Sequence, residues 1–147
     1  MAQTPDISND LATDIWVRLS RAHMKVQASI EAALKAAGLP SLAWYDALRE
    51  LERFGPEGGR AFEVQARLLL PQYGLSRLLG KLEKAGYLVR KNCAEDGRGK
   101  RLVITDQGKR VRRKMWRVYR AALKRAVGDK LPENDGPLLL ALLERLK

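Results

Sequence analysis

Soft metal ligands are nearly missing from this chain: its 147 residues include one cysteine, Cys93, and one histidine, His23. A single cysteine cannot form an internal disulfide, so a reducing cytoplasm is the expected setting. One histidine and one cysteine far apart in sequence cannot build a coordination shell without several carboxylates, so no metal and no cofactor is expected. Long apolar runs are also lacking. The longest, residues 138–143, is too short to cross a bilayer, and no membrane partner is expected. The first residues lack the basic-then-apolar order of a secretory signal, because Thr4, Asp6, Ser8, Asn9 and Asp10 crowd them. No nucleophile–base pair, phosphate loop or acid pair stands out, which argues against an enzyme.

Acidic residues are scarce, 17 against 28 basic ones, for a formal charge of +11. The excess is segregated. Residues 1–76 carry 8 basic and 9 acidic side chains, residues 77–125 carry 17 and 4, and residues 126–147 carry 3 and 4. Charge concentrated in one stretch creates a directed field that attracts a polyanion, whereas evenly spread charge serves solubility. Aromatic residues within the basic stretch are few (Tyr87, Trp116 and Tyr119) and form no RNA-stacking platform.

The chain is long enough for one domain with a real core and hardly for two. Residues 1–8 read as a disordered tail. Asn9 or Asp10 then offers an N-cap to a long amphipathic helix carrying Leu11, Ile15, Leu19, Ala22, Val26, Ile30 and Leu34, closed by Gly38 and Pro40. Ser41 caps a second helix that ends before Gly55. Residues 60–62 fit a short strand. Two short helices are expected over residues 63–69 and 71–85, with Pro71 in the first turn of the second. Residues 87–93 and 101–105 fit two strands around a turn-forming loop. Asp106 can cap a third long helix, densely basic outside its apolar stripe, and Pro132 can begin a last, leucine-rich one.

Two short helices followed by a basic hairpin form a winged helix-turn-helix pattern, within a mainly α (α+β) fold. The second short helix suits a major groove, where every base pair presents a distinct set of donors and acceptors. The candidate contacts are Pro71, Gln72, Tyr73, Gly74, Ser76, Arg77 and Lys81. Gln and Arg can pair bidentately with adenine and guanine edges, and Ser reaches either base or phosphate. Gly74 permits close approach at some loss of helix stability. Lys100 lies on the hairpin, which can reach the adjacent minor groove or backbone.

The sequence resembles the MarR family of regulators from about residue 11 to residue 146. The resemblance runs through Gly38-Leu39-Pro40, Trp44-Tyr45-Asp46-Ala47-Leu48 and Leu75-Ser76-Arg77-Leu78. It continues through Leu82-Glu83-Lys84-Ala85-Gly86-Tyr87-Leu88-Val89-Arg90, Glu95-Asp96-Gly97-Arg98 and Thr105-Asp106-Gln107-Gly108. It implies that residues 71–85 are the recognition helix. It also implies that Arg98 reaches a minor groove, oriented by Asp96. Gly97 stands where the family usually has another arginine, and Arg67-Leu68-Leu69-Leu70 lacks the usual small polar turn.

The first and last helices, residues 9–37 and 106–147, are similar to the family's dimerisation region and flank a DNA-binding region over residues 41–105. Independently, leucines all round the last helix call for burial, and a partner subunit is the available place. The expected function is therefore sequence-specific regulation of transcription, most simply repression, by a homodimer on an inverted repeat in double-stranded DNA. The alternative is a non-specific or architectural nucleic-acid-binding protein. Many family members respond to small aromatic or phenolic anions. Candidates to hold such an effector are Trp16, Arg21, His23, Trp44, Tyr45 and Trp116, with Arg120 contributing, since cations beside aromatic walls suit an aromatic carboxylate. Cys93 neighbours Arg90 and Lys91, which would lower a thiol pKa. Oxidation-sensing members, however, use a cysteine in the N-terminal helix, where this chain has none.

Overall fold

The computed structural model describes residues 7–71, 73–92 and 99–147. Its elements run α1 (Ile7–Ala36), α2 (Leu42–Phe54), α3 (Ala61–Arg67), α4 (Leu75–Lys84), β1 (Leu88–Asn92), β2 (Lys100–Ile104), α5 (Asp106–Ala126) and α6 (Asp135–Glu144). The architecture is the mainly helical winged helix-turn-helix expected from the pattern of elements, with two cores. The first joins Leu48 and Leu51 of α2 and Val64 of α3 to Leu75, Leu78, Leu79 and Leu82 of α4, beneath Leu88, Leu102 and Ile104 of the sheet. The second joins Ile30 and Leu34 of α1 to Leu42 and Tyr45 of α2 and to Met115 and Ala122 of α5. Trp44 and Val111 pack against both cores, so the DNA-binding module and the long helices are one packed body. No helix among the described residues is long and apolar enough to cross a membrane.

Several boundaries differ from the sequence reading, each for a local reason. Helix α1 starts at Ile7, so residues 7 and 8 belong to it and not to a tail; helix ends commonly extend a residue or two past the best cap. The strand expected over residues 60–62 reduces to one bridge, Gly59 with Leu102, because the Arg60 N–H is taken by Glu63 Oε1 at 3.0 Å and α3 begins at Ala61. The bridge needs glycine: a Cβ at Gly58 would fall 2.6 Å from the Leu102 carbonyl oxygen. Helix α4 begins at Leu75, leaving Pro71 outside its first turn. The cause is Gly74, whose φ of +81° is left-handed and ends any helical run from the N-terminal side. Thr105, not Asp106, caps α5, its side chain accepting from the Gly108 N–H. Helix α6 starts three residues past Pro132, after a turn in which the Asp135 N–H donates to the Pro132 carbonyl at 2.9 Å.

Candidate DNA interface

In α4, leucines at positions 75, 78, 79 and 82 follow the i, i+3, i+4, i+7 spacing of one helical face, and all four are buried. That face fixes the opposite one. Ser76, Arg77, Lys81 and Lys84 point outward. Tyr73, just ahead of the helix, is fully exposed at 101% relative accessibility, and Pro71 is exposed beside it. An open groove of about 350 Å³ lies between α2 and α4, lined by Ser41, Trp44, Tyr73, Gly74, Arg77 and Lys81. Two cations, a hydroxyl and an aromatic wall thus converge at the reading end of α4. Lys100 is exposed at the start of β2, on the same hairpin as Arg90, which pairs with Glu83 at 3.3 Å. Gln72, Asp96 and Arg98, and Cys93 with them, lie outside the described residues.

The approach to α4 is held by a residue the sequence reading did not single out for a role. Asp46, only 4% exposed, accepts the Leu69 N–H at 3.1 Å and the Leu70 N–H at 2.9 Å. Those two donors belong to the segment between α3 and α4, and an unpaired buried N–H is costly. The exit of α4 is also locked. The Thr105 N–H donates to the Tyr87 carbonyl at 3.0 Å, and the Thr105 hydroxyl donates to the Gly86 carbonyl at 2.6 Å. The sequence signal for Asp46 was an acid inside the run Tyr45-Asp46-Ala47-Leu48, all four of which are buried.

The candidate effector residues separate into three groups. Tyr45 stacks on Trp116 at 6.1 Å between centroids, and Tyr119 meets both rings edge-on at 5.1 and 5.5 Å. Trp44 instead turns to Tyr87, 6.0 Å away. Trp16, Arg21 and His23 lie exposed on α1, with no ring contact to that cluster among the described residues. Arg120 is exposed on α5. Tyr119, absent from the candidates, is held above the usual phenol range by burial, with Tyr45 and Asp46 adding to the shift. Arg112 of α5 forms an ion pair with Glu52 of α2.

A cationic helix face backed by buried leucines, locked at both ends and followed by an antiparallel hairpin, defines a winged helix-turn-helix module of the DNA-binding class. Known proteins agree. A family model described as the MarR family matches residues 37–99. An HTH-type transcriptional regulator of Bacillus cereus is 31% identical over 123 residues, covering 84% of this chain and 72% of its own length. A MarR family transcriptional regulator of Streptomyces coelicolor, solved in complex with DNA, shares the fold with a TM-score of 0.78 at 22% identity, over 91% of this chain and 87% of its own. An organohalide-sensing transcriptional regulator solved in its 2,4-dichlorophenol bound form does so with a TM-score of 0.77 at 16% identity, over 99% and 86%. The chain belongs to the MarR family of DNA-binding transcriptional regulators.

Proposed function

We propose that the protein is a homodimeric repressor that reads an inverted-repeat operator with α4 and the hairpin. The observation that carries the reading is the outward set Ser76, Arg77 and Lys81 on a helix whose other face is fully buried. Dimerisation is supported by apolar surface that one chain leaves open. Leu11, Ile15, Trp16 and Leu19 of α1 are exposed, and so are Leu138, Leu139, Leu140, Leu142 and Leu143 of α6, Leu140 at 68%. Exposed apolar surface on that scale belongs in an interface. A twofold dimer would present two copies of α4 to successive major grooves. Sedimentation equilibrium tests this part: twice the chain mass is expected, and Leu139→Asp with Leu142→Asp should give the chain mass.

An effector reading rests on the Tyr45, Trp116 and Tyr119 cluster, which joins α2 to α5 and adjoins Asp46 and Leu70. A small phenol or aromatic carboxylate wedged there would shift α5 against the segment leading into α4. It would act by favouring one spacing of the two reading helices over the other. Trp16, Arg21 and His23 would join such a site from the partner's α1, since their own chain does not bring them to it. Titrating the protein–duplex complex with 2,4-dichlorophenol tests this. DNA release with quenching of tryptophan emission is expected, whereas unchanged affinity would remove the effector and leave DNA reading intact.

A further inference from the structure

Beyond the residues of α4 and the hairpin, the densest run of basic residues in the sequence lies along α5. Arg110, Arg113, Lys114, Arg117 and Arg125 recur at helical spacing on one face, and all five are exposed. None has an ion-pair partner among the described residues, whereas Arg112 and Lys124 are paired with Glu52 and Asp129. The stripe spans about 22 Å at 1.5 Å per residue. Two open depressions of about 400 Å³ border it. One lies against the α1–α2 turn, with Pro40, Arg110 and Lys114, and the other against α1, with Ala32, Arg125 and Lys130. Small side chains from α1 leave the cations within reach of an approaching backbone.

The kind of partner follows from what the stripe does not carry. The large hydrophobic exposed on α5 is Trp116, which stacks on Tyr45 away from this face. A protein interface of useful strength needs aromatic or aliphatic anchors, and a membrane-surface helix needs an outward apolar face. A phosphate backbone needs neither, because it binds by charge and counterion release. The stripe begins behind the C-terminal end of α4, where Gly108 abuts Tyr87, and runs towards α1. The reading residues Ser76 and Arg77 sit at the opposite end of α4. We infer that the outer face of α5 is a second, sequence-independent DNA-binding surface, which holds a duplex segment other than the one read by α4. A protein with both surfaces bridges two duplexes.

The test uses the full chain and two variants, Arg110→Ala/Arg113→Ala/Arg117→Ala on α5 and Arg77→Ala/Lys81→Ala on α4. Protein is saturated onto a bead-tethered duplex, and capture of a second, fluorescent random-sequence duplex is read. The wild type captures it with steep salt dependence. The α5 variant stays on the tether within about twofold yet captures about tenfold less, and its salt slope for the second duplex falls by about 3, near 0.9 per lost phosphate contact. In solution at low salt, the α4 variant still binds random duplex, and combining both sets of substitutions abolishes that binding. No capture by the wild type, equal capture by the α5 variant, or complete loss of duplex binding in the α4 variant would each overturn the proposal. Failure of operator reading shows separately, as absence of preference between duplex sequences in the wild type.

Discussion

The carboxylate of Asp46 accepts the backbone N–H of Leu70 at 2.9 Å, across 24 residues of sequence. Together with the bond from Leu69, this ties the middle of α2 to the segment that sets the entry of the reading helix. Both bonds are charge-assisted and largely shielded from water, so each outweighs an exposed one. Asp46→Ala leaves two N–H groups without partners and should destabilise the fold by about 2–6 kcal/mol, given about 1–3 for each orphaned group. Asp46→Asn keeps one acceptor and should lose about half as much. Denaturant midpoints at constant m-value check both. Equal, near-zero shifts would mean that water replaces the carboxylate without loss.

Gly108 tests the lock at the other end of α4. A Cβ there would collide with the Tyr87 carbonyl oxygen and fall 2.8 Å from Ile104 Cγ1. Gly108→Ala should therefore destabilise by about 1–3 kcal/mol, as overpacked positions do. Gly80, also helical, faces open space, and Gly80→Ala should stabilise by up to about 1 kcal/mol through helix propensity. Thermal melts of the pair should shift in opposite directions.

Arg77 and Lys81 separate base reading from charge. If Arg77 pairs with a base edge, Arg77→Ala should reduce discrimination between duplex sequences by about 1–3 kcal/mol. Lys81→Ala should weaken all sequences alike and lower the salt slope by about 1. Anisotropy titrations on two duplexes at several salt concentrations resolve the two patterns.

Much of this architecture is legible from residue spacing. The leucine pattern of α4 encodes its buried face over a few neighbours, and Ser41 marks the start of α2, although its side chain makes no cap hydrogen bond. Pro71 suits a helix's first turn, but the left-handed Gly74 three residues later overrides it, and α4 starts at Leu75. The pairing expected over residues 60–62 falls instead at Gly59, because it depends on Leu102, more than 40 residues away, and on glycines that allow close approach. Asp46 shows the same limit: its role depends on donors 23 and 24 residues distant, which no local pattern reveals. The grouping of Tyr45 with Trp116, and of Trp44 with Tyr87 instead, is set by how α5 crosses α2.

Tyr119 makes the fold sensitive to alkali. Burial, then Tyr45 and Asp46, raise its phenol above the ordinary value, with Arg49 opposing. The folded chain thus holds this proton more tightly than the unfolded chain does. The resulting stabilisation is complete below about pH 10, the unfolded phenol value, and is lost as pH rises through the folded value. Tyr119→Phe should flatten the decline in melting temperature above that pH. Parallel declines for wild type and variant would show that Tyr119 does not govern it.

Selecting binders from a randomised duplex pool at low and near-physiological salt shows whether α4 reads sequence as one of a symmetric pair. An inverted repeat with half-site centres about 10 base pairs, or one helical turn, apart is expected at both salt concentrations. Recovery of no motif, with affinity collapsing as salt rises, would contradict it and leave a protein that binds DNA by charge alone.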